Sequence, residues 1–95
     1  MQPDQDTRAT STALADTTDQ VVRRALADHA RLSIDPQDLS PHADLYALGL
    51  TSHATVNVML AVEDQLDTEF PDHLLTRATF ASISAMTAAA TEALA

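Results

Sequence analysis

Apolar residues in this chain recur at intervals of three and four and nowhere alternate, a pattern that predicts helices and no strands. Val21, Val22, Ala25, Leu26, His29 and Leu32 mark a first helix over about residues 18 to 32, opened by a capping box of Thr17 and Gln20. The next twenty or so residues hold Pro36, Pro41 and Gly49, with Ile34, Leu39, Leu45, Leu48 and Leu50 scattered among Asp and Ser. A loop of that length in a small domain is functional or packed by its own side chains, and its leucines imply that it is pinned across the core. A second helix is predicted over about residues 53 to 66, where Val58, Val62 and Leu66, joined by Met59, form an i, i+4, i+8 stripe. Phe70 and Pro71 break away from it. Asp72 then reads as the N-cap of a short helical turn through His73, Leu74, Leu75 and Thr76. Thr79 reads as the cap of a last helix with Phe80, Ile83, Met86, Ala90 and Leu94 on its buried stripe. The predicted fold class is all-α: a four-helix bundle of three main helices and one short one, with a long loop between helices I and II.

Composition narrows what such a bundle can do. The chain has 95 residues, enough for one small domain with little room for a deep catalytic cleft. Residues 1 to about 17 are mostly Gln, Asp, Thr, Ser and Ala and read as a flexible tail, leaving residues 18–95 as the domain. Five Lys and Arg face 14 Asp and Glu, a formal net charge of −9. Nucleic acid and anionic membranes are therefore not expected partners, whereas basic protein surfaces are. The N-terminal residues show no basic start and apolar run of a secretory signal, and no stretch approaches the roughly 20 apolar residues that span a bilayer, so a cytoplasmic monomer is expected. Cysteine is absent, so any thiol chemistry has to be imported on a cofactor. His29, His42, His53 and His73 show no metal-ligand spacing, and no nucleophile, base and orienter can be assembled; no metal site and no enzymatic activity are expected.

One hydroxyl stands out. Ser52 lies between a Gly-containing loop and the second amphipathic helix, where a side chain is exposed, rigidly held and next to a helix N-terminus that tolerates phosphate. That is a place to attach a group, although a serine there can also be a plain N-cap. Val56 and Leu60 share a face with His53, at i, i+3 and i+7, turned away from the Val58 and Val62 stripe. They are either additional core or a surface for partners. Glu63, Asp64, Asp67 and Glu69 read as a solvated acidic face.

The run Gly49, Leu50, Thr51, Ser52, followed by helix II and then by Asp67, Thr68, Glu69, Phe70, Pro71 and Asp72, resembles the acyl and peptidyl carrier proteins over about residues 18 to 95. In that family an L-G-x-D-S-L motif ends in the serine that receives 4′-phosphopantetheine from coenzyme A, and helix II closes with a D-T-E-I-P-D-like segment. The resemblance implies Ser52 as the attachment residue and a phosphopantetheinyl transferase as a partner. Two positions depart from the common pattern: Thr51 replaces the usual Asp and His53 the usual Leu or Met. Ala54 and Asn57 also replace carboxylates that commonly lie on the outer face of helix II. With those departures the segment is most similar to the small bacterial aminoacyl carrier proteins. Their partners are seryl-tRNA synthetase-like amino acid:carrier protein ligases, which load glycine or alanine onto the phosphopantetheine thiol. The resemblance thus implies a covalent 4′-phosphopantetheine on Ser52 and a partner surface of Leu50, Thr51, His53, Val56 and Leu60. The rival expectations are a conventional carrier for fatty acid, polyketide or nonribosomal peptide synthesis, and a helical interaction module that is never modified.

Overall fold

The structure, a computed structural model, describes residues 17–95. The tail predicted before Thr17 lies outside the described residues. Residues 17–29 are helical (α1), and two further α-helices follow, Ser52–Leu66 (α2) and Ile83–Leu94 (α3). No strand occurs among the described residues, and the all-α expectation holds.

Three boundaries differ from those the periodicity predicts. Thr17 is itself helical, so it is not the cap assigned to it. Helix α1 ends at His29 rather than near Leu32, because the chain turns there into the loop: Ala30 N–H still donates to Leu26 O at 2.9 Å, but Ser33 N–H goes to Leu48 O at 3.0 Å. His29 is consequently exposed instead of belonging to the buried stripe. The short fourth helix is reduced to 3-10 turns at Asp72–Leu74 and Ala78–Phe80, with Pro71 rather than Asp72 at the N-cap position of the first. Thr79 and Phe80 fall in the second turn, and α3 is capped by Ser82, whose Oγ accepts the Ala85 N–H at 3.0 Å. Leu94, the last residue of α3, is 38% exposed rather than buried.

The core is built by Val22 and Leu26 from α1, Val58 and Val62 from α2, and Ile83, Met86 and Ala90 from α3. Each fully buried Val, Leu, Ile or Met side chain here contributes about 1.5–3 kcal/mol relative to an exposed one. The long loop adds Leu39, Leu45 and Leu50 to this core, as its scattered leucines imply. It is also held through its backbone: Leu45 N–H donates to Ala81 O at 2.8 Å, and Ser84 N–H to Pro41 O at 2.8 Å. Arg23 supplies a third tie that periodicity does not reveal. Buried on α1, its guanidinium donates to Pro36 O at 2.6 Å and Leu39 O at 2.9 Å, and pairs with Asp19 at 2.9 Å. A buried cation is tolerated when its donors are matched in this way. The loop is thereby fixed between α1 and the start of α2, which is where Ser52 stands.

Candidate functional site around Ser52

The approach to Ser52 is a sequence of tight turns. Asp44 Oδ1 accepts the Tyr46 and Ala47 N–H groups at 3.0 and 3.3 Å, an Asx turn that starts the reversal. Leu48 and Leu50 N–H both return to Leu45 O, at 3.1 and 3.0 Å. Between them Gly49 has φ +113°, a conformation that side-chain-bearing residues rarely adopt, and a Cβ there would lie 3.3 Å from Arg31 O. The angle favours glycine, and the close approach of Arg31 O adds to the strain of any side chain there. Leu50, buried at 5% exposure, then anchors the chain in the core immediately before α2.

Helix α2 begins at Ser52 itself, one residue earlier than predicted, and this resolves the choice between cap and free hydroxyl. The cap is Thr51, whose backbone is extended and whose Oγ1 accepts the Ala54 N–H at 3.1 Å. Ser52 is the first helical residue; it is exposed and its hydroxyl makes no hydrogen bond to a described residue. No acidic residue occupies the first turn of α2. The partial positive charge of that terminus, worth about 0.3–1 kcal/mol to an anion, is therefore uncompensated.

Beside Ser52 runs an open groove of about 370 Å³ between α2 and the segment that carries the two 3-10 turns. On α2 it is lined by Ser52, Thr55, Val56 and Met59, one face at helical spacing. Across from them stand Tyr46, Leu75, Arg77 and Phe80. Phe80 is fixed by an edge-on contact with Phe70, ring centroids 6.0 Å apart. Arg77 stacks on Tyr46, its Cζ 3.8 Å from the ring centroid, and the Tyr46 hydroxyl donates to Arg77 O at 3.1 Å. At an exposed site such a stack contributes about 0.5–1 kcal/mol.

The residues expected to form a partner surface are thus distributed unevenly. Val56 and Leu60 are 51% and 52% exposed, so they are not additional core. His53 is exposed on the same helix, and Thr51 is exposed while it caps. Leu50 departs from the expectation: its side chain is buried and its role is packing. Tyr46, Leu75 and Arg77 line the groove although no periodic pattern marks them. Met59, read from spacing as part of the core stripe, lines this groove together with Thr55, and neither they nor the segment opposite were marked as site residues by the pattern. Glu63, Asp64, Asp67 and Glu69 gather at the other end of α2. Among the described residues no group of three or more His, Asp and Glu side chains is placed to hold a metal, and no helix is long and apolar enough to cross a membrane.

An exposed, unengaged serine hydroxyl, an uncompensated helix N-terminus and a largely apolar groove with one arginine fit a serine-linked phosphate with an extended arm. Comparison with known proteins agrees with that geometry. Residues 20–89 match the family described as the phosphopantetheine attachment site. Over 65 residues, 68% of this chain and 78% of the relative, the sequence is 46% identical to the aminoacyl carrier protein of Agrobacterium fabrum. Among solved structures, the fold is similar, at TM-score 0.74 and 40% identity, to a chain in the crystal structure of an engineered Bradyrhizobium japonicum glycine:[carrier protein] ligase complexed with carrier protein from Agrobacterium tumefaciens and ATP; the match covers 79% of this chain and 97% of that one. A solution structure of an Agrobacterium tumefaciens protein matches at TM-score 0.65 and 41% identity, over 80% of this chain and 92% of the other. Members of the matched family are carriers of a covalent prosthetic group and not enzymes. The chain belongs to the phosphopantetheine-binding carrier protein family.

Proposed function

We propose that this chain is an aminoacyl carrier protein in which Ser52 bears 4′-phosphopantetheine and the cofactor thiol carries a small amino acid, glycine or alanine, as a thioester. The observation that carries the reading is the division of labour at the start of α2: Thr51 caps the helix, which leaves the Ser52 hydroxyl exposed and unengaged. The 46% identity to an aminoacyl carrier protein and the likeness to a chain from a glycine:[carrier protein] ligase complex support the cargo.

In the loading step Ser52 Oγ attacks a phosphorus of the coenzyme A pyrophosphate. A P–O bond forms to Oγ, the bond to the adenosine-bearing phosphate breaks, and the serine proton passes to a base of the phosphopantetheinyl transferase. The chain's own part is positional. Gly49 and buried Leu50 hold the turn, Thr51 leaves the hydroxyl free, and the first amides of α2 favour the phosphate. When bound, the group supplies the thiol that the sequence lacks and an arm that carries the thioester between active sites. The carrier unit is residues 18–95, with Thr51, His53, Val56 and Leu60 facing the transferase and a seryl-tRNA synthetase-like amino acid:carrier protein ligase. A cytoplasmic location fits this reading, because coenzyme A and ATP are supplied there.

The test has two stages. Exposure to coenzyme A and a broad-specificity transferase is expected to add phosphopantetheine to the wild type but not to Ser52→Ala, as read by intact mass; no addition, or equal addition to both, rejects Ser52 as the attachment site. The holo protein is then incubated with ATP, the ligase and glycine or alanine. Loading by a fatty acyl chain and never by an amino acid favours a conventional acyl carrier, the reading for which the apolar side of the groove speaks.

A further inference from the structure

Of the arginines among the described residues, only Arg77 lines the groove that holds Ser52. Arg23 is spent on two carbonyls and Asp19. Arg24 lines a separate cleft with Val21 and Gln65, near the other end of α2. Arg77, by contrast, makes no ion pair with any described residue: the two pairs found are Arg23 with Asp19 and His73 with Glu92. It is nevertheless held in place, because Tyr46 contacts it twice, through its ring under the guanidinium and through its hydroxyl to the Arg77 carbonyl. Stacking on a ring face leaves the edge of a guanidinium, and so its N–H donors, available.

We propose that Arg77 is a phosphate-binding residue: its guanidinium, pre-positioned by Tyr46, pairs with the phosphodiester on Ser52 and holds the root of the arm against the groove. This rests on Ser52 being the attachment residue and adds a residue outside the α2 motif to the site. The charge pattern supports it. The first turn of α2 has no acidic residue and its cap is Thr51, so no carboxylate of that turn competes for the guanidinium. Asp44 shares a neighbouring cleft with Arg77 but forms no ion pair with it and accepts the Tyr46 and Ala47 N–H groups, and in a chain of net charge −9 a further anion is best tolerated beside such an unpaired cation. A planar guanidinium also matches two phosphate oxygens at once, which an ammonium does not.

The experiment uses the full chain, apo and after modification with coenzyme A and a broad-specificity transferase, with intact mass recorded for each sample. Nitrogen-15 spectra follow the arginine Nε–Hε signals, and phosphorus-31 spectra follow the diester. The Arg77 Nε–Hε signal is expected to move on modification at low salt and to return toward its apo position as salt is raised, since screening weakens an exposed pair. Arg77→Gln is expected to displace the phosphorus signal of the holo protein, and Arg77→Lys to displace it less. A normal mass gain with the Arg77 signal unmoved and the same phosphorus shift in Arg77→Gln overturns this assignment and leaves Ser52 standing. Absence of any mass gain overturns both. Should Arg77→Gln unfold through loss of the Tyr46 stack, the apo-to-holo movement and its salt dependence in the wild type still decide.

Discussion

The two ends of α2 are built on opposite terms. At the N-terminus a neutral threonine caps, the first turn carries no acid, and Ser52 stands exposed beside a groove. At the C-terminus Glu63, Asp64, Asp67 and Glu69 crowd together with no basic residue in the last turn. The acids there are partly structural. Glu63 Oε2 accepts the Phe70 N–H at 2.8 Å, and Asp67 takes the left-handed conformation, φ 52° and ψ 49°, that lets Thr68 N–H return to Glu63 O at 3.0 Å. Thr68 Oγ1 then donates to Ala93 O at 3.1 Å and ties this end to α3. The helix thus keeps its charge at the end tied to α3 and leaves the Ser52 end neutral and open. Only the second arrangement suits an incoming phosphate.

The largest effect that sharpens this contrast is chemical. Ser52→Ala is expected to abolish phosphopantetheine addition, seen by intact mass, while unfolding stability stays within about 0.5 kcal/mol, because the hydroxyl it removes holds nothing. A substantial loss of stability would mean that Ser52 shares in capping. Next comes a pair of equal truncations on one helix. Val62→Ala, at a buried core position, is expected to cost about 2 kcal/mol in urea denaturation, and Val56→Ala, half exposed beside the groove, less than about 0.5 kcal/mol. Equal costs would erase the distinction between the packed and the open faces of α2.

Two intermediate effects probe the ends themselves. Glu63→Ala removes a charged acceptor from the Phe70 amide and is expected to cost about 1.5 kcal/mol, the low end for such bonds at a half-buried carboxylate. Thr51→Ala removes the cap and is expected to cost about 1 kcal/mol, with the mass gain at Ser52 retained. Loss of modification in Thr51→Ala at temperatures where the helix is folded would give Thr51 a role beyond capping.

How much of this was legible from the residues follows the range of the interactions. The core positions of α2 and most of those of α3 show in their spacing, because periodicity reports the side of a helix that is buried. Gly49 was legible as a turn residue, and its +113° φ bears that out. The start of α2 was misplaced by one residue, since Thr51 and Ser52 are both good caps and only the backbone angles choose between them. The predicted short helix shrinks to 3-10 turns because the chain after Pro71 closes locally, Leu74 N–H on Pro71 O and Leu75 N–H on Asp72 O, which no stripe records. Arg23, Tyr46 and Arg77 were invisible because their partners lie 13 to 31 residues away. The resemblance of the Gly49–Asp72 segment to carrier proteins reached the family, but the far wall of the groove needed the fold.

The smallest expected effect tests whether the acidic end of α2 costs the fold anything. Asp67 places a carboxylate at the negative end of the helix dipole, in the company of Glu63, Asp64 and Glu69. Asparagine enters the left-handed region as readily as aspartate, so Asp67→Asn keeps the backbone ending and removes only the charge. Stability is expected to rise by about 0.3–1 kcal/mol at low ionic strength, with the gain shrinking as salt screens the repulsion. Urea denaturation at low and high salt reads both. If the variant matches the wild type at both, the acids are solvated well enough to cancel their repulsion. The two ends of α2 would then differ in what they can bind and not in what they cost to fold.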